Sequence, residues 1–324
     1  MRQPLNCIAA MSLLLFSFAT VAEEKQEPTK RFTAERVFDV EYASDPQMSP
    51  DGNQIAYVRR TMDKINDSNK GQIWLINVNS GQHLPLVESN AASHSPRWSP
   101  DGSSLLYSTS TNGKAELRVY YIDSGRSVGL AQFDSSPSRA VWSPDGSHIA
   151  FNMFVKGKKP SFATPIAQPD GAKWNKKVRV FDDLTFRFDG AGYLPEGANQ
   201  VFTLPATGGT PRRVSHSDVG LNVASWLDND TVLVTGNTAE DRELDFIESE
   251  IYAIELKDLS MNALTTRDGP DSRPIVSPNG KVIAYVGFDD KLLSYQQQNL
   301  YLMNADGSNQ REIAADFKGS IGQL

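Results

Sequence analysis

Short runs of branched and aromatic residues recur along the chain, and the same four-residue polar turn opens each one. Ser49-Pro50-Asp51-Gly52, Ser99-Pro100-Asp101-Gly102 and Ser143-Pro144-Asp145-Gly146 are full copies. Ser277-Pro278-Asn279-Gly280 is a near copy, and Leu227-Asp228-Asn229-Asp230 holds the equivalent place in a degenerate unit. The runs that follow are Ile55-Ala56-Tyr57-Val58, Leu105-Leu106-Tyr107-Ser108, Ile149-Ala150-Phe151-Asn152 and Ile283-Ala284-Tyr285-Val286. Each sets a branched residue and an aromatic ring on one face of a strand, where side chains alternate with period two. Proline presets φ for the second position of a type I turn, Asp or Asn suits the third, and Gly accepts positive φ at the fourth. Each copy therefore predicts a hairpin with a G1 bulge between two antiparallel strands.

A second apolar run appears in every unit: Ile73-Trp74-Leu75-Ile76, Leu117-Arg118-Val119-Tyr120, Val201-Phe202-Thr203-Leu204, Ile251-Tyr252-Ala253-Ile254 and Leu300-Tyr301-Leu302-Met303. A further turn and a short polar-flanked strand close each unit, as at Arg212-Arg213-Val214-Ser215. Another strand precedes the turn, as at Arg97-Trp98, Ala140-Val141-Trp142 and Ala224-Ser225-Trp226. Four antiparallel strands in a repeat of roughly 40–50 residues describe a propeller blade. No stretch carries a long apolar period of 3.6, so helices should be scarce. The predicted fold class is all-β, a β-propeller of four-stranded antiparallel blades over 34–324. The blades fall at 44–90, 93–133, 137–216, 220–266 and 271–315, with 316–324 as the start of a sixth, which makes an incomplete ring. The third blade carries an insertion at 156–198 that includes Lys156-Gly157-Lys158-Lys159-Pro160. Such loops emerge at one face and often carry function.

The N-terminal segment 1–22 reads as a secretory signal. Arg2 supplies the positive end, Ile8 to Phe18 an apolar stretch, and Thr20-Val21-Ala22 the small residues before a cleavage point. The segment 23–33 reads as a solvated leader. Export follows, to a periplasm or beyond. Cys7 is the single cysteine and lies inside the signal. Disulfides and cysteine chemistry are therefore excluded from the mature chain. The 32 basic and 39 acidic residues are interspersed with no basic stripe, which argues against a nucleic-acid partner.

Catalytic signals are sparse. Gly125-Arg126-Ser127-Val128-Gly129 matches G-x-S-x-G. That elbow needs a following helix, and Leu130 to Pro137 is too short and turn-rich to form one. The repeat register makes Ser124 to Ser127 a turn between strands. His83, His94, His148 and His216 are scattered with no metal-site spacing. The turn aspartates are expected to bond their own backbone rather than calcium. No phosphate loop or dinucleotide fingerprint is present. The sequence thus predicts no catalytic residue, no cofactor and no metal.

Phe38-Asp39-Val40-Glu41-Tyr42-Ala43-Ser44-Asp45-Pro46-Gln47-Met48, leading into the first Ser-Pro-Asp-Gly, resembles the propeller start of bacterial acylaminoacyl and dipeptidyl peptidases of the prolyl oligopeptidase family. Asp182-Asp183-Leu184-Thr185-Phe186-Arg187-Phe188-Asp189-Gly190, with Gly192-Tyr193 and Asn199-Gln200-Val201-Phe202, resembles the third-blade loop of that family. The Trp-Ser-Pro-Asp-Gly units also occur in periplasmic TolB-like propellers, a less specific likeness. The peptidase resemblance implies a propeller, usually of about seven blades, that covers a C-terminal α/β-hydrolase domain with a Ser-Asp-His triad and admits short peptides. It implies that Arg187, Asp189 and Tyr193 sit on a loop facing the hydrolase, or simply anchor that loop. No hydrolase domain is seen in these residues, so the chain is expected to be inactive alone. The alternative is a stand-alone TolB-like module that binds protein partners. An incomplete ring leaves blade faces unpacked and strand edges unpaired. The isolated chain is therefore expected to self-associate or to be completed by another polypeptide. Sedimentation of the purified mature chain checks this, and a compact monomer at high concentration would contradict it.

Overall fold

The computed structural model describes residues 32–86, 91–157, 166–175 and 180–322. The predicted signal and nearly all of the leader lie outside the described residues. After a six-residue 3-10 turn at Ala34–Asp39 come five four-stranded antiparallel sheets. Blade 1 is β1 (Tyr42–Met48), β2 (Gln54–Asp63), β3 (Ser68–Asn77) and β4 (His83–Pro85). Blade 2 is β5 (Ser93–Trp98), β6 (Ser104–Thr111), β7 (Lys114–Tyr121) and β8 (Arg126–Phe133). Blade 3 is β9 (Ser138–Trp142), β10 (His148–Lys156), β13 (Gly197–Pro205) and β14 (Arg212–Arg213), and its insertion carries a hairpin of β11 (Arg187–Phe188) and β12 (Gly192–Tyr193). Blade 4 is β15 (Asn222–Trp226), β16 (Thr231–Gly236), β17 (Glu250–Glu255) and β18 (Met261–Ala263). Blade 5 is β19 (Asp271–Val276), β20 (Val282–Gly287), β21 (Asn299–Asn304) and β22 (Arg311–Ile313). The blades pack in chain order, and the first strand of each touches the first strand of the next, which places those strands at the axis. Among the described residues the packing does not return from blade 5 to blade 1.

Successive residues of a middle strand go to opposite neighbours. Leu105 and Tyr107 join Ala56, Val58 and Ile73 between blades 1 and 2. Leu106 joins Phe133, Ile149, Phe151 and Phe202 between blades 2 and 3. Val232 and Val234 pack toward blade 3, and Leu233 packs with Ile283 and Tyr285 of blade 5. Both faces of an inner blade are buried, so these strands read as continuous apolar runs.

The recurring turn is a small hydrogen-bond circuit. The Ser49, Ser99 and Ser143 hydroxyls donate to Oδ1 of Asp51, Asp101 and Asp145 at 2.6, 2.6 and 2.7 Å. Each serine oxygen in turn accepts the backbone N–H five residues on, from Gln54, Ser104 and His148. Asn279 serves blade 5 equally well, accepting from Ser277 at 2.8 Å. Gly102 has φ +72°, and a Cβ there would lie 3.4 Å from Pro50 of the previous blade. Glycine is favoured there by conformation, while the turns of blades 1 and 2 nest together.

Adjacent blades are stapled near the axis. The indole N–H of Trp98 donates to the Gln47 carbonyl at 3.0 Å, Trp142 to Arg97 at 3.0 Å, and Trp226 to Val141 at 3.2 Å. Blade 5 has Val276 at this position, and its inner strand is held instead by the Ser225 hydroxyl on the Pro274 carbonyl at 3.2 Å. Pro46, Pro96 and Pro274 lie in innermost strands, which are sheet edges and so tolerate a missing N–H. Each follows a residue with positive φ, at Asp45 (51°), Ser95 (57°) and Arg273 (54°). A bulge re-aims the strand at these points. Buried Asn152 adds a side-chain strap, donating to the Leu221 carbonyl and accepting from the Val223 N–H, both at 2.7 Å.

Two measurements follow from these contacts. Trp142→Phe keeps an apolar ring and removes the staple, so urea unfolding should show a loss of about 1 kcal/mol; an unchanged midpoint would contradict the role given to the indole. The serine hydroxyl, then further donors, hold Asp51 and Asp101 below the ordinary carboxylate value and Asp145 down to about 2. Their stabilisation is complete above the unfolded value of about 3.9 and is lost as pH falls through the folded values. Asp145→Asn, which blade 5 already tolerates as Asn279, should therefore flatten part of the acid limb of a stability–pH profile. A profile identical to the parent would contradict this.

Candidate functional site

The strand order fixes which loops share a face. Turns from first to second strand, and from third to fourth, lie on one side of the ring. Connections from second to third strand lie on the other, with the links between blades. On this loop face blades 1 and 2 have tight hairpins, whereas blades 3, 4 and 5 have long connections at 157–196, 237–249 and 288–298. The long connections carry exposed apolar groups. Leu184 is 61% exposed, Phe188 58%, Phe246 80% and Tyr295 82%, and Leu244 and Leu292 are exposed as well.

Arg187, Asp189 and Tyr193 are brought together on the β11–β12 hairpin. Arg187 pairs with Tyr193 across the strands, and Asp189 starts the turn whose glycines, Gly190 and Gly192, have φ +81° and +73°. All three residues are exposed. Tyr193 stacks on Phe181 at a ring-centroid distance of 5.1 Å, and Phe181 lies 4.9 Å from Phe186. Among the described residues neither Arg187 nor Asp189 makes an ion pair, so the hairpin is organised by its rings rather than by a salt bridge. The Leu184 N–H donates to Glu243 Oε2 at 3.1 Å and links the third-blade loop to the fourth.

A group of carboxylates on the same face was not singled out from sequence. Asp245 and Glu248 lie in the fourth-blade loop, Glu250 begins β17, Asp268 lies on the link into blade 5, and Asp271 begins β19. Burial pushes Glu250 and Asp271 up to about 7, and neighbouring acids push in the same direction. Burial raises Glu248 too, opposed by the Gly269 N–H that donates to its Oε2 at 2.9 Å. The Arg267 guanidinium lies 3.4 Å from Asp271 Oδ1 and stacks 3.7 Å from the Tyr301 ring. The available signal was local acid density, since Glu240, Asp241, Glu243, Asp245, Glu248 and Glu250 fall within one short stretch.

The G-x-S-x-G match has no catalytic setting. Ser127 is the second residue of β8 rather than the end of the predicted turn Ser124 to Ser127, with no helix after it. Its hydroxyl meets the Tyr107 hydroxyl at 2.7 Å and accepts from Arg118 Nε at 2.9 Å. Three of the four histidines are occupied elsewhere: His83 with the Tyr57 hydroxyl at 2.6 Å, His94 with Ser95 at 3.2 Å and His148 with Ser147 at 2.8 Å. Among the described residues no helix is long and apolar enough to cross a membrane.

Comparison with known proteins agrees with this geometry. Residues 37–173 match the TolB beta propeller domain family. An 86-residue stretch is 34% identical to the uncharacterized peptidase YuxL of Bacillus subtilis, covering 26% of this chain and 13% of that protein. The fold is similar to the acylaminoacyl peptidase of Pyrococcus horikoshii, with TM-score 0.66 and 17% identity, over 89% of this chain and 41% of that one. It is also similar to a TolB structure from Agrobacterium tumefaciens, with TM-score 0.52 and 15% identity, over 84% of this chain and 80% of that one. The chain thus spans about two fifths of the peptidase structure that it matches. Five stacked four-stranded blades and these similarities lead to one conclusion: the chain has a β-propeller fold, and its residues 37–173 are similar to the TolB beta propeller domain.

Proposed function

We propose that the chain is the substrate-gating propeller region of an exported serine peptidase of the prolyl oligopeptidase family. The observation that carries this reading is the asymmetry of the loop face. Long connections from three consecutive blades present Leu184, Phe188, Leu244, Phe246 and Tyr295 to the outside on one side of the ring. Apolar groups gathered in this way suit contact with another folded region. The stretch shared with a Bacillus subtilis peptidase and the fold shared with an acylaminoacyl peptidase support the same partner, an α/β-hydrolase region. In that arrangement the hydrolase supplies an acyl-enzyme route to short-peptide hydrolysis. The propeller restricts which peptides reach it, and the Arg187–Tyr193 hairpin lies at the contact.

A stand-alone TolB-like module that binds proteins in the periplasm is the second reading, favoured by the 80% coverage of the Agrobacterium tumefaciens structure. Its surface would serve protein contact without chemistry.

The chain by itself should not cleave aminoacyl or acyl-peptide chromogenic substrates, and a fluorophosphonate probe should leave it unlabelled. Cleavage abolished by that probe would overturn the assignment of gating without catalysis. The two readings separate on the genomic frame following codon 324. A helix-flanked G-x-S-x-G with Asp and His after it is expected for the peptidase, and a frame encoding no hydrolase would support the TolB-like module.

A further inference from the structure

Blades 1 and 5 each have one face on which no other blade packs among the described residues. Strand register makes these two faces comparable with the covered ones. On the side of blade 5 turned away from blade 4, Leu300 and Leu302 are half-buried and Ile275 is 46% exposed. The counterparts of Leu300 in blades 1 to 4 are Ile73, Leu117, Val201 and Ile251, and all four are fully buried. On the side of blade 1 turned away from blade 2, Ile55, Trp74 and Ile76 are half-buried and Met48 is 57% exposed. The counterparts of Ile55 in blades 2 to 5 are Leu105, Ile149, Val232 and Ile283, again fully buried. The 3-10 turn touches β2 but leaves these side chains partly bare.

Trp74 supplies a second observation. Its ring lies 4.7 Å from His83 and under the Arg59 guanidinium at 4.8 Å, and its Nε1–H is buried with no acceptor. Buried donors in folded proteins are normally paired, and leaving one unpaired is unfavourable. At three inner joints an indole N–H meets a main-chain carbonyl of the neighbouring blade. The bare face of blade 1 thus lacks an acceptor of the kind that a packed sheet brings.

The two bare faces also differ from each other in the way that packed pairs do. Leu117 and Val119 of blade 2 meet Phe151 and Phe202 of blade 3, and Leu233 and Ile251 of blade 4 meet Tyr285 and Tyr301 of blade 5. An aliphatic face therefore receives an aromatic one. The bare face of blade 5 is aliphatic, through Ile275, Leu300 and Leu302, whereas that of blade 1 carries Tyr57 and Trp74. We propose that the bare face of blade 5 docks on the bare face of blade 1 in a second copy of this chain, as a head-to-tail joint continuous in kind with the four inside it. The Trp74 N–H donates to a carbonyl of the incoming sheet. A contact between unlike faces that does not close into a ring grows into open chains. The inference does not depend on the peptidase reading, because it concerns only how blade faces pack.

The test is sedimentation velocity of the purified chain from about 1 to 100 µM, the weaker end of the range for interfaces of ordinary size. The parent should form a concentration-dependent series of oligomers. Ile275→Asp removes the blade 5 face and Met48→Asp the blade 1 face, both at exposed positions. Each buries an unpaired charge in the contact and should weaken association about a hundredfold or more, leaving monomers. Mixed together, the two variants should form a 1:1 complex and nothing larger, because each keeps the face that the other has lost. Circular dichroism checks that each variant keeps the strand content of the parent, and Leu302→Asp with Ile76→Asp replaces a pair that does not. A parent that stays monomeric throughout would overturn the proposal. So would Met48→Asp that still self-associates, which means that blade 5 packs on itself, or a mixture of folded variants that yields no complex.

Discussion

Each inner sheet of this protein has two apolar faces, and neither can be buried within the sheet. A four-stranded blade such as β5–β8 sends Leu105 and Tyr107 one way and Leu106 the other, so both faces need a neighbour. Stability is therefore carried across joints, and each joint is a nearest-neighbour contact. The polar details serve that stacking. Indole N–H groups fix inner strands one blade apart, Asn152 fixes β10 against the start of β15, and the Ser-Pro-Asp-Gly turns hold each hairpin at the height where Pro50 can meet Gly102.

The same constraint separates scaffold from function. Blade interiors and the turn face are occupied by packing and by closed hydrogen-bond circuits. Ser127, the single residue in a nucleophile-like motif, is taken up by Tyr107 and Arg118. Freedom to vary remains in the second-to-third strand connections, and there the protein places its long loops and its exposed apolar side chains. A rigid ring with a variable loop face suits a role in which contact is made on one side only.

Much of the fold was legible because its signals are local and repeated. A turn that needs Ser, Pro, Asp and Gly in fixed order reports its own geometry, and repetition multiplies the signal. The indole staples could be located from sequence, since Trp98 and Trp142 directly precede the turn, but their acceptors could not, because the partner carbonyls lie a whole blade back. Ser127 was placed in a turn and lies in β8, which starts at Arg126, a two-residue error at a strand start, where boundaries are least defined. Arg187, Asp189 and Tyr193 were placed on one loop, and they share one hairpin. The carboxylates around Glu248 were missed for a topological reason. Asp245 and Asp268 are separated by two strands, β17 and β18, and only the junction of blades 4 and 5 brings them together.

Stacking by nearest neighbours can be probed with one core substitution and hydrogen exchange. Leu233 is fully buried between blades 4 and 5 and touches no other joint. If stacking carries the stability, Leu233→Ala will speed amide exchange most in β16, β17, β20 and β21, with β2, β3, β6 and β7 least affected. Equal acceleration in all five blades, or none in blade 5, would contradict the account.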